Sequence, residues 1–421
     1  TLEESSNNLI PLFETIIADI EGPLADDEYE PQFLVTNLDY DAYVGQVAIG
    51  RLSNGTLEMN QSYSLCGKDE ITYGHKFSAL YTFNGLTKKK VKKVVAGDII
   101  ALAGVDDVNI GDTISSNDNP KPLPRIKIDE PTVSMLFCVN TSPFAGKDGT
   151  YITTRHIYER LQKEIMSNVS LEVVNTEKND IFEVRGRGEL QMAILIETMR
   201  REGYEFMVSK PRVITFEEKG DLMEPMEKVF LDIPEDKVGI ISEKLSIRKG
   251  RMLNLQNHGY GRVSLEFSIP SRGLIGFRSQ FMTDTQGAGI MNKIFDGYKT
   301  WFGEIPQRNS GALVSDRNGK VTTYASLAMV DRGELFVNVG SQVYAGMIIG
   351  ERNRSEDLCV NITREKKLTN MRSATADATV TLRPSRQLSL DQYIEFIAED
   401  ELVEITPKDI RLRKIELDEN K

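Results

Sequence analysis

Residues 8–20, NLIPLFETIIADI, place Leu9, Leu12, Phe13, Ile16, Ile17 and Ile20 at spacings of three and four. That period predicts an amphipathic helix whose apolar stripe needs a partner surface. Gly22, Pro23 and the acidic run to Pro31 end it and read as a linker. From Phe33 to Ser116 the period changes to short β-type runs, FLVTNLDYD, YVGQVAIGRLSNGTL, SYSLC and DIIALAG, cut by the turn signals Asn54-Gly55 and Asn84-Gly85. Regular short strands of this kind predict a small closed β-barrel over residues 31–119.

The proline-rich NPKPLPRIKIDEP, residues 119–131, suits neither a helix nor a central strand and reads as an interdomain connector. Beyond it come strand VSMLFCVN, loop TSPFAGKDGT, a helix over 153–166, strands SLEVVNT and IFEVRGRG, and a helix over 190–202. The order βαββα predicts a ferredoxin-like unit, two helices stacked on an antiparallel sheet, within 126–218. The order repeats within 222–300: strand EKVFLDIP, a helix over 236–247, strands RMLNLQN and GRVSLEFSIP, and a helix over 274–285. Residues 301–421 return to β-type segments, GALVSD, TTYASLAMV, ELFVNVG and ATVTLRP, around one late helix. Ser389 and Gln392 form an S-x-x-Q capping box for that helix, whose buried stripe is Leu390, Ile394 and Ile397. The expected fold is therefore multidomain β and α+β: a β-barrel, two ferredoxin-like units and a β-rich C-terminal domain.

A length of 421 residues is enough for two to four cores, and no run of about 18 apolar residues is present. Cys66, Cys138 and Cys359 are odd in number and far apart, which fits free thiols in a reducing cytoplasm. The net charge of −12 argues at first against a nucleic-acid partner. Its distribution reverses that impression. Residues 1–30 hold nine acids and no base, and residues 387–421 hold ten acids against five bases. The body between them is nearly neutral, and since screening confines each exposed charge to about 10 Å, local clusters decide.

Enzyme chemistry is conspicuous by what is missing. No GxxxxGK[ST] loop occurs, so this chain has no phosphate cradle and is expected to be inactive as a GTPase alone. His75, His156 and His258 are scattered without metal-ligand spacing and read as structural or surface residues. No GxSxG elbow appears, and SRGLIGFR, residues 271–278, reads as a strand-to-helix turn rather than a nucleotide loop.

The positive signal is basic. Residues 361–386 carry Arg364, Lys366, Lys367, Arg372, Arg383 and Arg386 against Glu365 and Asp377, in a stretch with no period of two or 3.6. Two readings fit it: a solvated loop, or a loop that grips RNA, with lysines on phosphates and Arg and Asn370 on base edges or the 2′-hydroxyl. Lys88, Lys89 and Lys90, with Lys92 and Lys93, make a second cluster, read as a polar strand and turn or as phosphate contacts. Arg185 and Arg187 alternate with glycine ahead of a helix and suit an interface or a phosphate.

Taken in order, these motifs resemble the TypA/BipA translational GTPases related to elongation factor G. GQVAIGRLSNG and AGDIIALAGVDDVNIGDTI resemble the barrel called domain II, and EPTVSMLFCVNTSPFAGKDG with RGRGELQMAILIETMRREGYE resembles domain III. EPMEKVFLDIP through IPSRGLIGFRSQFMTDTQGAG resembles domain V. DRGELFVNVG, YAGMIIGERNRSEDLCVN and KKLTNMR look like the C-terminal domain peculiar to that family. Domain IV of elongation factor G has no counterpart. The resemblance implies a fragment without its GTPase domain, residues 1–30 holding that domain's last helix and a linker. No cofactor is expected in this chain, GTP and Mg2+ belonging to the domain it lacks.

The resemblance also implies a cytoplasmic, ribosome-stimulated GTPase in ribosome assembly and in stress or cold adaptation. The implied partners are large- and small-subunit rRNA and proteins and the acceptor end of A-site tRNA, met by a monomer with no membrane association. Carried residue by residue, RNA contact falls on Arg364, Lys366, Lys367, Asn370 and Arg372, with Lys88, Lys89, Lys90, Arg185, Arg187, Arg383 and Arg386 as secondary contacts. The rival expectation is a protein-interaction scaffold whose sheet edges and acidic tail recruit a partner without touching RNA.

Overall fold

The computed structural model describes residues 9–22, 25–41, 43–68, 70–85, 87–105, 107–126, 131–168, 170–305, 308, 310–365, 382 and 384–417. The chain divides into two compact units, Thr1–Ile128 with Lys163–Val169, and Asp129–Gln162 with Ser170–Lys421.

In the first unit the periodic apolar segment forms the helix Ile10–Asp19, with Pro11 in its first turn, where a missing N–H costs nothing. Its stripe is uncovered: Leu12, Phe13 and Ile17 are all exposed. The strands that follow make an eight-stranded sheet in the order Ile71–Lys76, Ser62–Cys66, Thr113–Ser116, Gln32–Asp41, Gly45–Asn54, Ile99–Ala103, Ala79–Asn84, Thr87–Lys90. This corrects the expected closed barrel. Among the described residues the two end strands do not pair, so the sheet stays open around a core that includes Phe33, Leu52, Leu80 and Ile100. The edge strand Thr87–Lys90 is exposed along its length, and its lysines are the side chains that discourage another strand from adding to an edge.

The second unit holds both predicted ferredoxin-like units, save the end of one helix from Lys163, and each is one strand longer than expected. In the first, Val133–Val139, helix Thr154–Ser167, Glu172–Asn175, Ile181–Gly186 and helix Glu189–Arg201 are followed by Phe206–Ser209, which pairs with Val133–Val139. In the second, Ile290–Thr300 pairs along Asp221–Pro234, giving the antiparallel order Ile290–Thr300, Asp221–Pro234, Arg262–Pro270, Arg251–Asn257. The helix expected over 274–285 is broken into Ser271–Leu274 and Phe277–Asp284 at Gly276. Gly276 sits at φ +72°, a conformation glycine takes without penalty.

Apart from the short pairing of Gly319–Lys320 with Gln342–Val343, the C-terminal strands join the sheet of the first ferredoxin-like unit. Phe206–Ser209 pairs with Glu401–Ile405, so one eleven-stranded sheet runs from the first ferredoxin-like unit through Ile410–Lys414 and Met347–Arg352 to Leu358–Val360. One apolar core follows it, joining Phe137, Ile196 and Phe206 to Ile348, Ile394 and Ile405. TTYASLAMV, expected as β, is the helix Thr323–Met329. Thr322 caps it by accepting from the Ala325 N–H at 3.2 Å, and Ala325 and Met329 share its buried face. The late helix Leu390–Phe396 has the predicted capping box, with Ile394 and Ile397 buried and Leu390 partly so. ATVTLRP lies almost entirely outside the described residues.

Because Phe206 is fully buried where the two sheets join, Phe206→Ala should cost about 3–5 kcal/mol. Hydrogen exchange should quicken together in Glu189–Arg201 and in the Glu401–Lys414 hairpin. Quickening confined to one of them would show that the two cores are separate.

Candidate nucleic-acid interface

Lys366, Lys367, Asn370, Arg372 and Arg383 lie outside the described residues. The residues that flank them on either side are held by hydrogen bonds. On the entry side, Thr322 Oγ1 donates to the Arg364 carbonyl at 2.6 Å, and Thr322 N–H donates to the Ile362 carbonyl at 3.2 Å. Arg364 is exposed, its guanidinium 5.9 Å from the Tyr324 ring centroid. On the exit side, Arg386 N–H donates to the Leu335 carbonyl at 2.8 Å and Ser385 Oγ donates to Asn338 Oδ1 at 2.6 Å. Both ends are thus tied to the stretch 322–338, a helix and a strand of the large sheet.

The secondary candidates are scattered. Lys88 is bound to Asp39 at 2.7 Å, and that hydrogen bond holds the Asp39 carboxyl below its usual range. Lys88 pairs opposite Phe83 and Lys90 opposite Tyr81, so these two share a face while Lys89, opposite Thr82, points away. Arg185 is held by Glu183 at 3.1 Å with Glu172 at 3.7 Å, a hydrogen-bonded pairing that raises the guanidinium pKa. Arg187 stands 5.9 Å from the Phe295 ring centroid, so it contacts the second ferredoxin-like unit. Arg386 reaches Glu351 at 3.2 Å and Glu334 at 3.5 Å. Of the histidines, His75 shares a 2.7 Å hydrogen bond with Thr72 and His258 one of 2.7 Å with Ser264.

The loop 140–149 and the C-terminal hairpin share a buried polar network. The Glu404 carboxylate, fully buried, accepts from Asn140 Nδ2 at 3.0 Å, Ser142 Oγ at 2.8 Å, Tyr344 Oη at 2.7 Å and Arg411 at 3.1 Å. Glu205, equally buried, accepts from Asn140 Nδ2 at 2.7 Å and from the amides of Gly146 at 2.8 Å and Gly149 at 2.9 Å. Together they clamp the loop 140–149 onto the C-terminal hairpin. Burial, with the Glu404 charge beside it, pushes the Tyr344 phenol far up and keeps it a donor. Burial opposes the charge on Arg411, but Glu404, Asp409 and Asp148 outweigh it. Sequence reading missed this network, although an acid inside each of the apolar runs EFMVS and ELVEI was a signal for a buried, partnered carboxylate.

Where the ferredoxin-like units meet the late helix, Gly276 N–H donates to Glu189 Oε2 at 2.7 Å and Gln280 Nε2 donates to Glu395 Oε1 at 2.8 Å. A cleft of about 810 Å³ opens there. Most of its cations already have carboxylates: Arg212 pairs with Glu399, Arg272 with Glu224, Arg308 with Glu401, Arg386 with Glu351 and Lys244 with Asp284. These pairs brace the modules and leave little free charge for an anionic ligand.

Three family models match the chain: Elongation factor Tu domain 2 over residues 45–115, Elongation factor G C-terminus over 221–309, and TypA/BipA C-terminal domain over 310–419. With the paired ferredoxin-like folds, these modules define a translation factor of the elongation factor G kind. Proteins named large ribosomal subunit assembly factor BipA are similar over nearly the whole chain. The Bacillus subtilis protein is 45% identical over 419 residues, 99% of this chain and 68% of the relative. That of Synechocystis is 46% identical over 415 residues, 99% of this chain and 70% of the relative, and that of Salmonella typhimurium 45% over 419, with 99% and 69%. The chain belongs to the TypA/BipA family of translational GTPases. A solved structure from Thermus thermophilus overlaps at a TM-score of 0.45 and 16% identity, over 70% of this chain and 59% of that one.

Glu404→Gln removes the charge that four donors converge on and leaves Arg411 under-compensated in the interior. The expected loss is about 3 kcal/mol in urea unfolding followed by circular dichroism. A shift near zero would mean that the network adds geometry without stability.

Proposed function

We propose that this chain is the ribosome-docking portion of a translational GTPase, and that its basic segment meets large-subunit RNA and the acceptor end of an A-site tRNA. The observation that carries the reading is the anchoring of both ends of a cationic segment, at Arg364 and at Arg386, on one braced stretch of the module matched by the TypA/BipA C-terminal model. Relatives named as large ribosomal subunit assembly factors support the ribosome as partner. GTP hydrolysis would be supplied by a P-loop domain outside these residues.

In this reading the modules set reach and direction while Arg364, Lys366, Lys367, Asn370 and Arg372 make the contact. Lysines neutralise phosphates, and Arg and Asn read base edges or the 2′-hydroxyl. Lys89 and Lys90, exposed on their edge strand, remain available to a second phosphate run. Arg185 and Arg386 would have to leave carboxylates before they could bind RNA, so they are weaker contributors.

Replacing Lys366, Lys367 and Arg372 together with alanine should weaken co-sedimentation with ribosomes by about 2–4 kcal/mol and flatten its salt dependence between about 50 and 200 mM. Unchanged pelleting would overturn the assignment. Retention of a partner after nuclease treatment would favour a protein-binding scaffold instead.

A further inference from the structure

We infer that the uncovered face of the second ferredoxin-like sheet is a seat for an unstacked base of single-stranded RNA, separate from the basic segment. The register builds it. On the face turned away from the buried Val229, Leu231 and Phe267, one cross-strand row reads Asn254, Glu266, Phe230, Asn292. In the next row Gln256 lies opposite Ser264. Together they line a shallow concavity of about 250 Å³. That is below the size of an ordinary small-molecule pocket, and a single planar ring suits it better.

Its chemistry is selective. Phe230 is 37% exposed at the centre of the sheet, on the face that the helices leave open and that polar side chains would ordinarily fill. Asn254, Gln256 and Asn292 are exposed, and their amides make no intramolecular hydrogen bond among the described residues. An aromatic face ringed by free carboxamides provides stacking and edge recognition together, which is what a splayed-out base requires. The charges agree. Glu266 is neutralised by Lys228 at 3.3 Å and Asp232 by Arg262 at 2.7 Å, while Arg251 at the rim has no acidic partner among the described residues. Both acids that line the concavity are therefore paired, and neither stands as a bare carboxylate against a polyanion.

The adjoining hairpin adds a second aromatic group. Residues 258–261, HGYG, turn through Gly259 at φ +77° and Gly261 at φ +74°, leaving Tyr260 92% exposed at the tip. His258 is fixed to Ser264, so its ring lies beside the concavity. A protein partner is the weaker match, because the apolar atoms of Phe230, Ile290 and Ile294 are interrupted by amides that an apolar interface would leave unpaired.

The test uses the full chain carrying the Lys366, Lys367 and Arg372 alanine substitutions, so that the basic segment is silent. The probe is a fluorescein-labelled single-stranded RNA of about ten nucleotides, read by anisotropy. Residual binding should persist, fall about tenfold in Phe230→Leu and recover in Phe230→Tyr, since only the aromatic variant restores a stack. Photocrosslinks from 4-thiouridine RNA should map to peptides containing Phe230, Asn254 or Tyr260. Absence of residual binding, equal affinity in Phe230→Leu, or a nuclease-resistant protein crosslink at this face would each overturn the proposal. None of these outcomes bears on binding by the basic segment, which the parent chain reports.

Discussion

The second unit turns on one seam, the pairing of Phe206–Ser209 with Glu401–Ile405, and on the carboxylate of Glu404 buried within it. Taking a carboxylate out of water costs several kcal/mol, so a charge in that position persists only with donors around it. Asn140, Ser142, Tyr344 and Arg411 supply them from three separate stretches of chain. What the burial achieves is geometric. A slip of one residue at the seam would turn Glu404 to the opposite side of the sheet and away from every one of its donors.

From that seam a continuous hydrogen-bonded path leads to the basic segment. Glu401–Ile405 pairs with Ile410–Lys414, then Met347–Arg352, then Gly333–Leu335, whose last residue holds Arg386. Arg308 on Glu401 and Arg272 on the buried Glu224 brace the same frame, the latter with its guanidinium 3.6 Å from the Trp301 ring centroid. Under the proposed function, a cationic segment mounted on such a frame would meet RNA at a distance set by the frame. Residues distant from any ligand can therefore govern binding by holding its origin.

Much of this architecture was legible in the sequence because it follows from short-range rules. The capping box at Ser389, the helices between Thr154 and Arg201, and the repeated βαββ order all come from spacing and turn chemistry. Two readings failed for long-range reasons and one for a local signal. Whether Thr87–Lys90 closes a barrel depends on a partner strand rather than on its own residues. Thr323–Met329 is the local case: Ala325, Leu327, Ala328 and Met329 favour a helix, and Thr322 caps it. The fusion of two modules into one sheet depends on a pairing across about 200 residues, which no local period encodes. Of the candidate site, the clustering of Arg364 with Lys366 and Lys367 was visible in the sequence, whereas the pairing of Arg185 and Arg386 with carboxylates was not, because ion pairs between distant residues leave no local signature.

That long pairing has a consequence during synthesis. Phe206–Ser209 leaves the ribosome as the outermost strand of its domain, with backbone groups waiting for a neighbour encoded about 200 residues downstream. At roughly 5–20 residues per second the wait lasts on the order of ten to forty seconds. For that interval the nascent chain carries an open strand edge, which only its own last hairpin seals.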